Sequence, residues 1–153
     1  RTSDVLPLRD SKRLSVRQRE EWFGWMREHP NIKFAASSVS AVIIDRIGIV
    51  RAVRRAATRA VRRLSVGRST ILCDRGIQIP YDHREVTRGD ETIPVIMLAS
   101  IIAKVTRDRK MTRYARRFPE YDFHLHKGYG TRAHYEAIET HGLSPLHRRT
   151  FTH

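Results

Sequence analysis

The chain has 153 residues, 40% of them hydrophobic, which is enough for one domain with a real core. Lys and Arg number 30 against 16 Asp and Glu, and the net charge of +14 favours a polyanionic partner, because all but five of the cations are Arg and guanidinium binds phosphate in a bidentate fork. The single Cys excludes an internal disulfide and a cysteine-rich zinc site, and the longest apolar run, residues 93–103, is shorter than the roughly 20 residues that span a bilayer.

The first predicted helix follows a polar, proline-containing segment over residues 1–13. Ser15 is a suitable N-cap, and we expect the helix to run to about His29. Its buried stripe is apolar: Val16, Trp22 or Phe23, and Met26. Residues 34–42 are rich in Ala, Ser and Val and alternate weakly, which predicts a strand.

A strongly periodic helix is predicted next, from an N-cap at Asp45 to about Leu64. Its inner face is apolar: Val50, Val53, Ala57, Val61 and Leu64. A basic stripe lies elsewhere on it: Arg51, Arg55, Arg59 and Arg62. A solvated face explains that stripe as well as a contact with a duplex does. Gly67 then breaks the chain.

A short apolar strand over residues 70–74 ends abruptly on an acid, Asp74. The carboxyl ends of strands in open α/β sheets are where ligands bind, so Asp74 is a candidate functional residue. The alternative is an Asp that only starts a turn before Gly76. A second strand is predicted near residues 83–87, closed by residues 88–90.

The long helix predicted over residues 92–118 carries polar side chains along one edge of an otherwise apolar rod, with Pro94 tolerated in its first turn. Ser100, Lys104 and Asp108 fall at i, i+4 and i+8 and therefore share one helical face. Spacing alone does not separate a functional edge from the ordinary polar edge of a surface helix.

The last part of the chain combines basic, imidazole and aromatic groups. Residues 122–130 form a predicted glycine-punctuated loop that exposes Tyr129, and such a ring stacks on bases or sugars while Lys holds phosphate. His124 and His126 make a His-x-His pair, which is a weak metal signal without a third ligand nearby. A final helix is predicted over residues 131–141, capped by the Thr at its start.

Four blocks of the chain resemble successive blocks of bacterial ribonuclease HII, the type 2 ribonuclease H family. They are DSKRL at 10–14, LASIIAKVTRD at 98–108, HKGYGT at 126–131 and HRRTF at 147–151. The blocks follow the family's order and span nearly the whole chain. The resemblance implies an α/β fold, a ribonuclease H-like mixed sheet flanked by helices, in one catalytic domain over residues 1–153.

The resemblance also implies an activity. The family hydrolyses the RNA strand of RNA–DNA hybrids and cuts 5′ of ribonucleotides embedded in duplex DNA, leaving a 3′-hydroxyl and a 5′-phosphate, with two divalent metal ions, Mn²⁺ or Mg²⁺. Asp74 and Asp108 match two of the family's four catalytic, metal-binding acids. Tyr129 matches the tyrosine that packs on the deoxyribose after the ribonucleotide. The other matched positions line the substrate groove: Lys12, Ser100 and Lys104.

The departures from the family pattern matter as well. The family opens with a strand bearing an Asp-Glu pair and a Gly-Arg-Gly loop, and nothing precedes Arg1 to supply them. We therefore expect the domain to lack its first two strands and this fragment to be inactive alone. Truncation, completion by another chain and a defective relative are the three explanations. Residues 74–76 read Asp-Arg-Gly where Asp-Gly-Asn is usual, and Met97 and Leu98 replace small residues.

The alternative function is a non-catalytic, basic nucleic-acid-binding protein, motivated by the charge of +14 and the two unmatched acids. A solubility charge or an Arg-rich genome also explains the charge. Because the chain has one Cys and no apolar leader, we expect a cytoplasmic protein. We expect no membrane partner, because no basic cluster lies beside a lipid anchor or a spanning segment. We also expect a monomer.

Overall fold

The computed structural model describes residues 7–65 and 70–151, so the break expected at Gly67 lies outside the described residues. The elements in chain order are α1 (Val16–Glu28), α2 (Ala41–Ile47), α3 (Ile49–Leu64), β1 (Leu72–Asp74), β2 (Arg84–Val86), α4 (Gly89–Thr92), α5 (Pro94–Arg117), α6 (Phe123–His126) and α7 (Arg132–His141). Short 3₁₀ turns occupy Pro119–Tyr121 and Arg149–Phe151. No helix in these described ranges is both long and apolar enough to cross a membrane.

Helix α1 begins where the sequence predicts. The Ser15 hydroxyl accepts from the Gln18 N–H while the Gln18 side chain accepts from the Ser15 N–H, a complete capping box. Trp22 and Met26 are buried, but Val16 is 61% exposed, so its place in the buried stripe was predicted wrongly. The buried face of α1 starts one turn further along, where the helix packs against α5.

The strand predicted over residues 34–42 is wrong. Residues 33–40 belong to no helix or strand, and α2 begins at Ala41. A strand requires a neighbour for its backbone groups, and an alternating pattern does not supply one. Phe34 still packs edge-on against Phe23, with 5.3 Å between ring centroids, so the segment joins the core through its side chain.

The single helix predicted from Asp45 to Leu64 is two helices. Gly48, at φ +79°, separates α2 from α3, and Asp45 lies inside α2. The Asp45 carboxylate caps the C-terminal 3₁₀ turn instead, accepting from the N–H groups of Arg149 at 2.9 Å and Thr150 at 3.2 Å. The Thr150 hydroxyl also donates to it at 2.7 Å, and these bonds, led by the hydroxyl's, lower the pKa of Asp45.

The predicted inner face of α3 is only partly correct. Val50 is 72% exposed and Val53 is 39% exposed, and the buried side chain of the helix is Ala52. Periodicity reports which residues share a face, but the element that covers this face decides which face is buried.

The two predicted strands form and pair in parallel, with Leu72 opposite Arg84 and Asp74 opposite Val86. The mixed sheet expected from the resemblance is thus represented, in the described residues, by a two-stranded parallel sheet beside a mostly helical body. Strand β1 contacts both α4 and α5, and Asp74 at its carboxyl end accepts a hydrogen bond from the Gly89 N–H of α4.

Helix α5 connects the two cores of the described chain. It spans nearly the predicted range, with Pro94 in its first turn. One core joins it to α1 and contains Leu14, Trp22, Met26, Ile101, Ile102 and Val105. The other lies near its C-terminal end and contains Ala115, Tyr121 and Phe123.

The loop predicted over residues 122–130 contains a helical turn, α6, because Phe123 inserts into the second core and is only 1% exposed. Helix α7 begins after Thr131, whose hydroxyl accepts from the His134 N–H, and ends before Gly142, as predicted.

Candidate active site

Asp108 lies on the inner side of α5, and cations surround its carboxylate. The Lys104 ammonium, one turn earlier, donates to both oxygens at 2.7 and 2.9 Å. The Arg19 guanidinium of α1 lies 3.8 Å from Oδ2. The Asp108 side chain is 12% exposed, so this is a partly buried, charge-compensated carboxylate that still reaches the surface.

Arg19 is a member of this group that the sequence reasoning missed. Its guanidinium donates to the carbonyl oxygens of Leu14 at 2.6 Å and Ser11 at 2.9 Å, and the residue is 8% exposed. The signal was present in the sequence, because a charged residue stands three before Trp22 and seven before Met26 in the buried stripe of α1. Arg19 therefore joins the 10–14 block to the site.

The Ser100 hydroxyl lies 2.7 Å from the hydroxyl of Ser11, which attaches the 10–14 block to α5 a second time. In the same block, the Lys12 ammonium contacts the Asp90 carboxylate at 3.0 Å. The hydrogen bond to Asp90 is the main cause of the raised pKa of Lys12. The Lys12 side chain is 74% exposed and remains accessible to a polyanion.

Asp74 ends β1, and its side chain is held by the backbone of α4. Oδ1 accepts from the Gly89 N–H at 2.9 Å. A Cβ at Gly89 would lie 2.5 Å from Cδ1 of Ile96, so any other residue here requires α4 or the Ile96 side chain to shift. The Asp74 carbonyl also accepts from the Ile77 N–H at 3.1 Å, so the residue starts a turn as well as presenting its carboxylate.

Tyr129 lies beside the Asp108 group. Its ring is 53% exposed, and the Lys104 ammonium and the Arg107 guanidinium each lie 5.3 Å from its centroid. Lys104 therefore touches both the Asp108 carboxylate and the Tyr129 ring. The Arg107 guanidinium also donates to the Lys127 carbonyl at 3.1 Å, which holds the loop that carries the ring.

The structure brings some of the predicted site residues into contact with one another and leaves others apart. Lys104, Asp108 and Tyr129 form one continuous group. Within the part of the chain that the structure describes, no hydrogen bond or ion pair joins Asp74 to Asp108, although β1 and α5 are in contact. His126 is buried and engaged by backbone groups, while the exposed His124 lies 3.7 Å from Asp122.

The donor chemistry of this site can be tested against a divalent metal ion. The carboxylates of Asp74 and Asp108 are the hard oxygen ligands that Mg²⁺ and Mn²⁺ prefer. However, no group of three or more His, Cys, Asp or Glu side chains in residues 7–65 and 70–151 could hold a metal ion. The two carboxylates are therefore suitable ligands for such an ion, but they are too few to hold it by themselves.

Known proteins resemble this chain over nearly its whole length. The profile of the family described as Ribonuclease HII matches residues 4–153. The chain belongs to the ribonuclease HII family. A Ribonuclease HII of Coxiella burnetii is 42% identical over 147 residues, covering 94% of this chain and 72% of the relative. Those of Acholeplasma laidlawii and Bacillus pumilus are 40% and 38% identical, covering 94% and 96% of this chain and 71% and 58% of theirs.

Membership of the ribonuclease HII family confirms the resemblance read from the four blocks. The 98–108 block supplies Lys104 and Asp108, the 126–131 block supplies Tyr129, and the 10–14 block is tied to both α1 and α5. The described contacts therefore bring blocks that are distant in sequence to one surface.

Proposed function

We propose that this chain provides most of a ribonuclease HII active site. In a polypeptide with the family's full set of acids, it hydrolyses the RNA strand of RNA–DNA hybrids and cuts 5′ of a ribonucleotide embedded in duplex DNA, leaving a 3′-hydroxyl and a 5′-phosphate. The single observation that carries the proposal is the group formed by Asp108, Lys104 and Tyr129.

That group combines the three contacts that a ribonucleotide junction requires. The Asp108 carboxylate is one metal ligand, the Lys104 ammonium lies within reach of the phosphate backbone, and the exposed Tyr129 ring offers a flat apolar surface to a sugar. The net charge of +14 attracts the duplex over distances longer than any one contact. Lys12 and Ser100 extend the substrate-binding surface along the 10–14 block.

The cofactor of the proposed reaction is Mn²⁺ or Mg²⁺. Asp74 and Asp108 would each contribute a carboxylate, and a metal pair would stabilise the attacking and leaving oxygens. Since the described residues supply too few ligands, we propose that the Asp-Glu strand of the family completes the set. The two-stranded sheet agrees with this proposal, because parallel strands normally lie inside a larger sheet with both faces covered.

The decisive experiment uses the full reading frame that contains this chain. A DNA duplex with one ribonucleotide is incubated with and without Mn²⁺, and we expect metal-dependent cleavage on the 5′ side of that ribonucleotide. Asp74→Asn and Asp108→Asn should abolish turnover while leaving binding of the duplex nearly unchanged. Asp122→Asn is the matched control, because the Asp122 side chain is 59% exposed. Cleavage no faster than in the metal-free control would overturn the proposal.

A second candidate function, non-catalytic binding of nucleic acid, is favoured by the charge and by exposed cations along α3, including Arg51, Arg54 and Arg55. It predicts binding to a duplex that weakens steeply with salt, together with no metal-dependent cleavage by the full reading frame. The cleavage assay separates the two functions directly.

A further inference from the structure

Three buried imidazoles lie beneath the Tyr129 loop and are not used by the proposed chemistry. They belong to His126, His134 and His147, which are each 7% or 8% exposed. The His126 and His134 rings stack with 4.2 Å between centroids, and Nε2 of His134 lies 2.9 Å from Nε2 of His147. The cluster does not have the geometry of a metal site, because no group of three or more His, Cys, Asp or Glu side chains in the described ranges could hold a metal ion.

Hydrogen bonds at the two ends determine where the protons of His147 and His134 lie. The Ser144 N–H donates to Nδ1 of His147 at 2.9 Å, so that nitrogen is unprotonated and Nε2 carries the hydrogen. Nε2 of His147 then donates to Nε2 of His134. The remaining nitrogen of His134, Nδ1, donates to the carbonyl oxygen of Tyr129 at 2.9 Å. A backbone N–H only donates and a carbonyl only accepts, so the direction of donation along this row of hydrogen bonds is fixed.

His126 holds the other side of the same loop. The Gly128 N–H donates to Nδ1 of His126 at 3.1 Å, so Nε2 carries the hydrogen and donates to the Tyr121 carbonyl at 2.6 Å. The Tyr129 N–H donates to the His126 carbonyl at 2.9 Å. The backbone before and after the Tyr129 ring is therefore bound by this one cluster.

The loop needs such support because its backbone is unfavourable. Lys127 and Gly128 both have positive φ, +52° and +77°, and a left-handed conformation is costly for a side chain such as that of Lys. Backbone bonds from the imidazoles compensate for this cost and hold the half-exposed Tyr129 ring beside Lys104.

We propose that His126, His134 and His147 are positioning residues that hold Tyr129 against the substrate, each as a neutral imidazole in one fixed tautomer. The proposal rests on the proposed function for the role of the Tyr129 ring. It assigns the hydrogen to Nε2 in His126 and His147 and to Nδ1 in His134.

Protonation would break this arrangement. A second hydrogen on His147 would meet the Ser144 N–H, and one on His126 would meet the Gly128 N–H. Burial lowers the pKa of both His134 and His147, which agrees with neutral rings. Among residues 7–65 and 70–151, the other titratable groups in ring contact with the cluster are the phenols of Tyr121 and Tyr135. No carboxylate in the described residues forms an ion pair with any of the three rings.

The lowered pKa values of His134 and His147 determine the direction of the pH effect. In the unfolded chain His134 and His147 take up protons near the ordinary imidazole pKa of about 6.5, while in the folded chain these two rings resist protonation until lower pH. The stabilisation is therefore complete above the ordinary pKa and is lost as the pH falls through the lowered folded pKa. We expect loop order and preference for a single ribonucleotide to decline together over this range.

The first test needs no activity. Nitrogen-15 NMR of histidine-labelled full-length protein at pH 7.5 distinguishes a protonated from an unprotonated ring nitrogen, and single substitutions assign the signals. We expect neutral rings with the three tautomers stated above. An exchange-averaged signal, a charged ring or the opposite tautomer at His134 would overturn the proposal.

The second test measures cleavage of a duplex containing one ribonucleotide. We expect His134→Leu to lower kcat/KM roughly 10- to 100-fold, as for other losses of substrate positioning. His134→Asn should recover much of this loss, because its amide can donate from the place of Nδ1. His124→Asn is the matched control, since the exposed imidazole of His124 is outside the cluster.

The outcomes distinguish the two proposals. An inactive wild-type protein refutes the proposed function, and the NMR tautomers still decide the proton arrangement. An active wild-type protein with equal activity in His134→Leu, or no recovery in a folded His134→Asn, overturns the positioning role. If the Leu variant does not fold, the activity of the folded Asn variant and the NMR tautomers of the wild-type rings decide.

Discussion

Replacing Arg19 with Met tests the buried connection between the 10–14 block and α5. The side chain of Arg19 is 10% exposed, and its guanidinium donates to the carbonyls of Ser11 and Leu14 besides approaching Asp108. Hydrogen bonds from a charged donor contribute about 1.5–3 kcal/mol each, and Met recovers part of this loss through apolar contact. We therefore expect the free energy of unfolding to fall by about 3 kcal/mol.

A loss of this size shifts Tm downward by roughly 6–12 °C for a protein of about 150–250 residues. Thermal and chemical denaturation of the full-length protein, followed by circular dichroism, measures it. Arg17→Met is the matched control on the same helix: the Arg17 side chain is 83% exposed and pairs with Glu21 at 3.3 Å, so its midpoint should not move. A shift below about 2 °C for Arg19→Met would refute the reasoning that these bonds stabilise the fold.

Three further predictions concern local contacts. Ser15→Ala removes the capping box of α1 and should lower the free energy of unfolding by about 1 kcal/mol in denaturant titrations. Gly89→Ala places a Cβ 2.5 Å from Cδ1 of Ile96 and should reduce cleavage activity by displacing the N–H that binds Asp74; unchanged kinetics would contradict this. Asp45→Ala should destabilise the protein at neutral pH. Because the pKa of Asp45 is lowered, this difference should persist above its ordinary value of about 3.9 and vanish as the pH falls through the lowered one.

Local signals in the sequence were sufficient to predict the helices whose ends are capped by nearby residues. Ser15 and Thr131 cap α1 and α7 through bonds to residues three positions away, so their patterns alone predict where these helices begin. The ordering of the four blocks also predicted the family, because their spacing reflects a shared fold. The placement of Asp74 at the end of a short strand was likewise a local inference.

Contacts between segments that are distant in sequence decided the features that local signals did not predict. The strand expected at residues 34–42 failed because pairing depends on a neighbour elsewhere in the chain, and Val50 is exposed because no described element covers it. The sequence analysis passed over Arg19, whose role depends on the packing that brings Asp108 of α5 to it. The Ser100, Lys104 and Asp108 edge was predicted from helical spacing alone, but only packing placed the Tyr129 ring beside Lys104. Spacing along one helix is encoded locally, whereas the approach of a loop and the protons of buried imidazoles depend on partners that folding brings together.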